Sequence, residues 1–297
     1  MLIRLFRSHL FAYRRLLTLL MVFQVLQPAL TLYLPDLNAR LIDDGVLTGD
    51  TGYILRTGAL MLTITAVQLG FAIAAVYVAS KAAMSFGRDV RNDLFHRVTA
   101  FSEREVNLIG APSLITRVTN DVQQVQMLLV LVCTIAVSAP VTLVGGIVMA
   151  LREDVELSAL LLVSMPVMLT LLALVVTRMV PRFRLMQACI DRVNDVLREQ
   201  IIGIRVVRAF VREPEETARF EEVNSDLTGT SLAAGRLTAL LFPIVLAVVN
   251  CSSVAVIWFG AGRIDSGGMT IGSLVAFLSY FTIILMSILM ATLMTLP

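Results

Sequence analysis

Few side chains in this sequence are of the kind that make or break bonds, and their spacing excludes several chemistries. A phosphate-binding loop needs Gly-x-x-x-x-Gly-Lys followed by Ser or Thr, so that backbone amides cradle phosphate and the lysine reaches it. The single lysine is Lys81, in Ala79-Ser80-Lys81-Ala82, so these residues cannot build that loop. Cys133, Cys189 and Cys251 are far apart with no Cys-x-x-Cys spacing, and His9 and His96 are the only histidines, which speaks against a disulfide framework and a zinc site. We therefore expect no catalytic residue, bound metal or bound cofactor in these 297 residues.

What stands at suggestive spacing is a pair of charged turns. Ser102-Glu103-Arg104-Glu105 reads as a capping box, with Ser102 accepting from the amide three residues on and Glu105 reaching back. Gly110-Ala111-Pro112-Ser113 then breaks and restarts the chain. Glu213-Pro214-Glu215-Glu216 places Pro and carboxylates in a first helical turn, where the helix dipole favours negative charge. Each turn is expected to be a short transverse helix. Arg97-Val98-Thr99-Ala100-Phe101 and Arg205-Val206-Val207-Arg208-Ala209-Phe210 precede them, a faint echo of a repeated helix pair.

The elements that position these turns follow from composition. Hydrophobic residues make up 57% and charged residues 15%, where an ordinary soluble domain has about 45–50% and about 25%. Stretches free of Asp, Glu, Lys and Arg run over 16–35, 57–80, 122–151, 157–177, 237–262 and 266–297, and each meets the roughly 20 residues a spanning helix needs. We read an all-α membrane protein with six transmembrane helices, at about 16–35, 57–80, 127–150, 157–177, 237–259 and 271–297. Of the 24 basic residues, 20 fall in segments 1–15, 81–121 and 178–236, and only Arg40, Arg56, Arg152 and Arg263 fall in the alternate loops. That asymmetry puts both termini in the cytoplasm. Segment 1–15, with Leu2, Ile3, Leu5, Phe6 and Leu10 beside Arg4, Arg7 and His9, reads as an amphipathic surface helix rather than a signal peptide. A net charge of +2 gives no argument for nucleic acid.

Outer connections are short, around 151–156 and 260–270, with a longer acidic one at Asp43-Asp44-Gly45 and Asp50. The inner ones are long yet keep apolar residues at helical spacing, so the helices are expected to continue out of the membrane. From Ile54 to Phe101 only Gly58, Gly70 and Gly87 weaken one helix of about 70 Å. Such extensions bury little surface alone and call for a cytoplasmic partner or a second copy.

The chain resembles the transmembrane domain of exporter-type ATP-binding cassette (ABC) transporters. The resemblance rests on Arg91-Asn92-Asp93-Leu94-Phe95, on Ser113-Leu114-Ile115-Thr116-Arg117-Val118-Thr119-Asn120-Asp121-Val122, on Gly203-Ile204-Arg205-Val206-Val207-Arg208-Ala209-Phe210 followed by Glu213 and Phe220, and on Trp258-Phe259-Gly260 leading to Gly268-Met269-Thr270-Ile271-Gly272-Ser273-Leu274. It covers almost the whole chain, and its details look closest to half-transporters that pair with a non-identical homologue. The resemblance implies that the two turns are coupling helices that contact nucleotide-binding domains, where ATP and Mg would be held. Those contacts map to Val106, Asn107, Leu108, Ile109, Gly110, Ala111, Pro112 and Ser113, and to Arg212, Glu213, Pro214, Glu215, Glu216, Thr217 and Ala218. Pro112 stands where many members have Gly. ATPase domains would come from a separate subunit or from a C-terminal part beyond Pro297. The membrane would be the cell membrane, the inner one in a bacterium.

Arg117, Asn120, Asp121, Gly203, Arg205 and Arg208 are candidates for a coupling network at the helix bases, against a solvated face as the plain alternative. The uncharged spans oppose a proton relay or buried ion pair and favour an apolar or amphiphilic cargo, drug-like or lipid-like. Gln24, Gln27, Gln68, Tyr77, Asn250, Phe277, Tyr280, Phe281, Met286 and Met290 could line its cavity, or could simply pack between helices or against lipid. Pro28, Pro140, Pro166 and Pro243 are candidate kinks. A secondary transporter, or a membrane scaffold without ATP coupling, remains the alternative function.

Overall fold

The computed structural model describes residues 13–135 and 137–293; the surface helix expected at 1–15 lies almost entirely outside them. Helices α1 (Arg14–Arg40), α2 (Thr51–Thr99), α3 (Glu103–Ile109), α4 (Ala111–Thr116), α5 (Val122–Ile135), α6 (Ser138–Glu153), α7 (Val155–Ala209), α8 (Glu213–Asp265) and α9 (Ile271–Leu293) follow in order, with no strand among the described residues. Six helical stretches are long and apolar enough to cross a membrane, the third formed by α4 to α6 together. The protein is thus an all-α, six-span, multi-pass membrane protein.

Helix α2 has 49 residues, about 74 Å at 1.5 Å each, close to the length read from the sequence. Asp50 starts it by accepting from the Tyr53 amide at 3.0 Å. Nothing stops it before Ala100, because its four glycines, Gly52, Gly58, Gly70 and Gly87, cost only about 1 kcal/mol apiece in a helix. Gly87 also has a packing role: a Cβ there would overlap the buried Gln126 side chain of α5. Gln126 Oε1 in turn accepts from Arg91 Nη1 at 3.2 Å.

The chain divides into two compact units, residues 1–158 with 256–294, and residues 159–255. In the first, α1 packs along α2, α2 against α5, and α9 against α6 and α1. Leu20, Ala75, Val78 and Ala79 form one core cluster, and Ala83, Phe86, Val90, Val122 and Leu129 another. The small alanines let α1 and α2 approach closely, the usual way to pack helices that have no hydrophobic drive between them in lipid. Tyr280 of α9 satisfies its buried hydroxyl by donating to the Leu32 carbonyl at 2.9 Å.

Two polar ties bind the turns of this unit. Asp154, 6% exposed, separates α6 from α7; its Oδ1 accepts from the Leu157 amide at 2.8 Å and its Oδ2 from Arg263 Nε and Nη2, both at 3.1 Å. Asp43 accepts from Thr270 Oγ1 at 2.6 Å and from the Gly272 amide at 2.8 Å, so a residue of the α1–α2 turn caps the start of α9. Gly272 is required there, since a Cβ would overlap the Ala39 carbonyl.

The second unit is an antiparallel hairpin of α7 and α8. Thr238 meets Met179, Cys189 meets Thr230, Arg192 meets Asp226 and Arg219 meets Glu199, a steady register along both helices. Met168, Leu172, Met179 and Val245 supply its fully buried side chains.

One expectation needs correction. The second charged turn is not a separate short helix: Glu213 begins α8, which runs unbroken to Asp265. Pro214 sits in the first turn, where its missing N–H has no partner to lose, and nothing after it stops the helix. The third span is described as α5 up to Ile135 and α6 from Ser138, with residue 136 outside the described residues. Pro140 falls in the first turn of α6, where proline is tolerated. Pro28, Pro166 and Pro243, by contrast, lie inside continuous helices.

Candidate functional site

The first turn is built by local chemistry. Ser102 Oγ accepts from the Glu105 amide at 3.4 Å, and Glu105 Oε2 accepts from the Ser102 amide at 2.8 Å, the capping box expected from the sequence. These bonds hold the Glu105 carboxyl below its ordinary range, the Ser102 backbone donor being the larger cause and its hydroxyl the smaller. Gly110 takes φ +85°, open to glycine and strained for other residues, so α3 can end and α4 begin at Ala111 with Pro112 in its first turn. Leu108 is 85% exposed; Asn107, Ala111 and Pro112 are also exposed, while Val106, Ile109, Gly110 and Ser113 are half-buried.

Beyond α4 the backbone widens to a π-helical turn, Arg117–Asp121, before α5. Arg117, Asn120 and Asp121 are exposed on it and make no hydrogen bond or ion pair with one another. Such turns concentrate at functional positions, though nothing in this one reveals a network.

The second turn ends α7 by an unusual cap. The Arg212 amide donates to Val207 O at 3.0 Å and the Val211 amide to Arg208 O at 3.3 Å, the bond pair of a Schellman motif. That motif puts its central residue at positive φ, normally as glycine; here it is Val211 at φ 54°. A β-branched residue there is strained, and such strain gathers at functional sites. Phe210 and Val211 are 73% and 75% exposed. Arg212, Glu213, Pro214, Glu215, Thr217 and Ala218 are exposed too, with Arg212 3.6 Å from Glu215. Glu216 is half-buried and its carbonyl accepts from Gln200 Nε2 at 3.0 Å. Arg205 and Arg208 are exposed, and a Cβ on Gly203 would meet nothing within 4 Å, so no helix of this chain packs closely there. Sequence reasoning missed Val211, because nothing in its neighbourhood marks a valine for positive φ.

Within the first unit, a cavity of about 380 Å³ opens beside the start of α6. Ile135, Ser138, Ala139 and Thr142 line one side, and Ile283, Met286, Ser287 and Met290 of α9 the other. The Ser138, Thr142 and Ser287 hydroxyls each donate to a backbone carbonyl four residues earlier at 2.8 Å, which leaves their oxygens free to accept. The lining carries no charge. Of the residues singled out from the sequence, Met286 and Met290 are at this cavity. Phe277, Tyr280 and Phe281 are fully buried in the packing of α9. Gln24 is buried and donates to the Cys133 carbonyl, Gln68 donates to Thr31 at 2.9 Å, Gln27 is half-buried, and Tyr77 and Asn250 are exposed on α2 and α8. The serine and threonine lining went unnoticed; Ser138-x-x-x-Thr142 astride Pro140 was its only signal.

Six spans, helices that run on beyond the apolar runs and charged turns between them describe the membrane domain of a transporter. The model of the ABC transporter transmembrane region matches residues 17–288, and the chain belongs to this family. It is 48% identical over 292 residues to an uncharacterized ABC transporter ATP-binding protein of Mycobacterium tuberculosis, an alignment covering 98% of this chain and 50% of that protein. A protein of Bacillus subtilis with the same description is 30% identical over 275 residues, covering 93% of this chain and 48% of the relative. The chain spans about half the length of these curated relatives.

Proposed function

We propose that this chain is the membrane half of an ATP-driven, exporter-type transporter that moves an apolar or uncharged amphiphilic substrate by alternating access. The observation that carries the coupling role is the exposure of Leu108 at one turn and of Phe210 and Val211 at the other. Large apolar side chains on charged turns outside the spans are costly in water and suit docking into a partner's cleft. The partners are nucleotide-binding domains that hold ATP and Mg, either on a separate subunit or in a further part of the same protein, and a second six-span half, a non-identical homologue. The 20 to 4 arginine and lysine asymmetry supports cytoplasmic termini in a cell membrane, the inner one in a bacterium.

The uncharged cavity supports the substrate class: adaptable Met286 and Met290 offer soft apolar contact, and three hydroxyl oxygens accept hydrogen bonds. The experiment is ATP-dependent uptake of a lipophilic tracer by inverted vesicles carrying the complete transporter. L108D and F210D should insert normally and lose substrate-stimulated ATP hydrolysis. Unchanged stimulation in both would sink the docking role, and tracer uptake that ignores ATP would favour a secondary transporter.

A further inference from the structure

A cleft of about 640 Å³ lies on the first unit, lined by Arg88, Asp89, Arg91, Asn92 and Phe95 of α2 and by Val118 of the π-helical turn. We propose that this cleft holds the headgroup of an anionic phospholipid, with its phosphate on Arg88 and Arg91 and its acyl chains along Met84, Tyr77 and Ile73. This goes beyond the transport role and rests only on the six-span membrane reading.

Both guanidinium groups are anchored without being used up. Arg88 gives Nε and Nη2 to Asp89 at 3.0 and 2.8 Å, and Arg91 gives Nη1 to Gln126 at 3.2 Å. Each guanidinium has five donors in a fixed fork, so N–H groups remain on both for a phosphate. Among the described residues, the cleft has two guanidinium groups against the carboxylate of Asp89, and Asn92 adds an amide.

Depth makes the ligand a lipid. The Tyr13 hydroxyl donates to Asp89. Tyr13 stands just before the uncharged run that begins at Leu16, so Asp89 and its neighbours lie where α1 enters the hydrocarbon. That is the headgroup layer, roughly 5–8 Å thick on each side of the core. Positions 73, 77, 84, 88, 91 and 95 fall within an arc of about 60° on a helix, which makes them one face. Ile73, Tyr77 and Met84 on that face are more than half exposed. The ammonium of Lys81 sits over the Tyr77 ring, 5.9 Å from its centroid. The face is therefore apolar within the bilayer and cationic where it leaves, the order of groups in a phospholipid and not in a free phosphate ion.

The test reconstitutes the complete transporter in nanodiscs of phosphatidylcholine with a minor share of phosphatidylglycerol. Native mass spectrometry then reads the lipid retained on each chain. Wild type and R88K/R91K should keep phosphatidylglycerol in preference, and R88Q/R91Q should lose about thirtyfold of that preference, as two surface cations would confer. R152Q, at the far end of the third span, should leave it unchanged. Equal preference in R88Q/R91Q and wild type overturns the proposal. So does a site that binds inorganic phosphate in detergent, loses it in R88Q/R91Q, and shows no preference between the two lipids. The lysine variant guards against a fold defect, because it keeps the charge and would fail only if the arginines were structural.

Discussion

Asp154 shows how much a single side chain can bear. Its carboxylate is buried, caps α7 and accepts two bonds from Arg263, whose guanidinium also lies 2.8 Å from the more exposed Glu156. Removing Asp154 takes the cap from α7 and one of two acidic partners from Arg263, so D154A should cost about 1–2 kcal/mol and D154A/R263A clearly less than the sum of the single changes. Thermal melts of the four proteins in detergent would measure that cycle. Val211 is the opposite case, a residue held where it does not fit. V211G should stabilise the α7–α8 turn by about 1 kcal/mol, read as a raised melting temperature, because glycine takes positive φ without the side-chain clash. If the strain serves coupling, the same variant should also lower substrate-stimulated ATP hydrolysis.

The Glu105 cap gives a pH dependence. Its folded carboxyl lies below the unfolded value, so the cap contributes fully above the ordinary carboxylate range and is lost as pH falls through the lowered folded value. A nitroxide at N107C should be ordered at neutral pH and gain mobility only in acid below that range. In E105A it should be mobile at every pH.

At the level of elements, the third span carries the most consequence. Ser138 and Thr142 flank Pro140 at the start of α6 and line the cavity. P140A should stabilise that turn, since alanine favours a helix where proline does not. Melting temperature should rise while tracer transport falls, and a rise in both would separate the cavity from transport. This span also marks where local pattern stops informing. The uncharged run 122–151 announces a spanning segment, but only tertiary packing decides which of its side chains face the cavity. Likewise the capping box at Ser102 and the length of α2 are local properties and were legible. The continuity of α8 past Pro214 turns on whether anything stops it, and the turn at 210–212 gave no residue-type signal at all. The bonds of Asp43 to Thr270 and Gly272, and of Asp154 to Arg263, join residues more than a hundred positions apart, which no periodicity reports.

For the molecule as a whole, the family match and six spans fix the class, and the basic residues predict its orientation. On intact cells, a membrane-impermeant thiol reagent should label T48C and G267C and spare N107C, in a background with Cys133, Cys189 and Cys251 replaced. The opposite pattern would invert the topology.

In the first unit, the connections at the end away from the Ser102 turn are residues 47–50, which follow a π-helical close to the first span at Leu41–Val46, then Asp154 alone, and 266–270, drawn in by Asp43 and Asp154. An antibody or protease arriving from that side would find hardly any loop to grip. An epitope tag for that end would be inserted at Gly49 or Gly267, where the backbone already turns at positive φ.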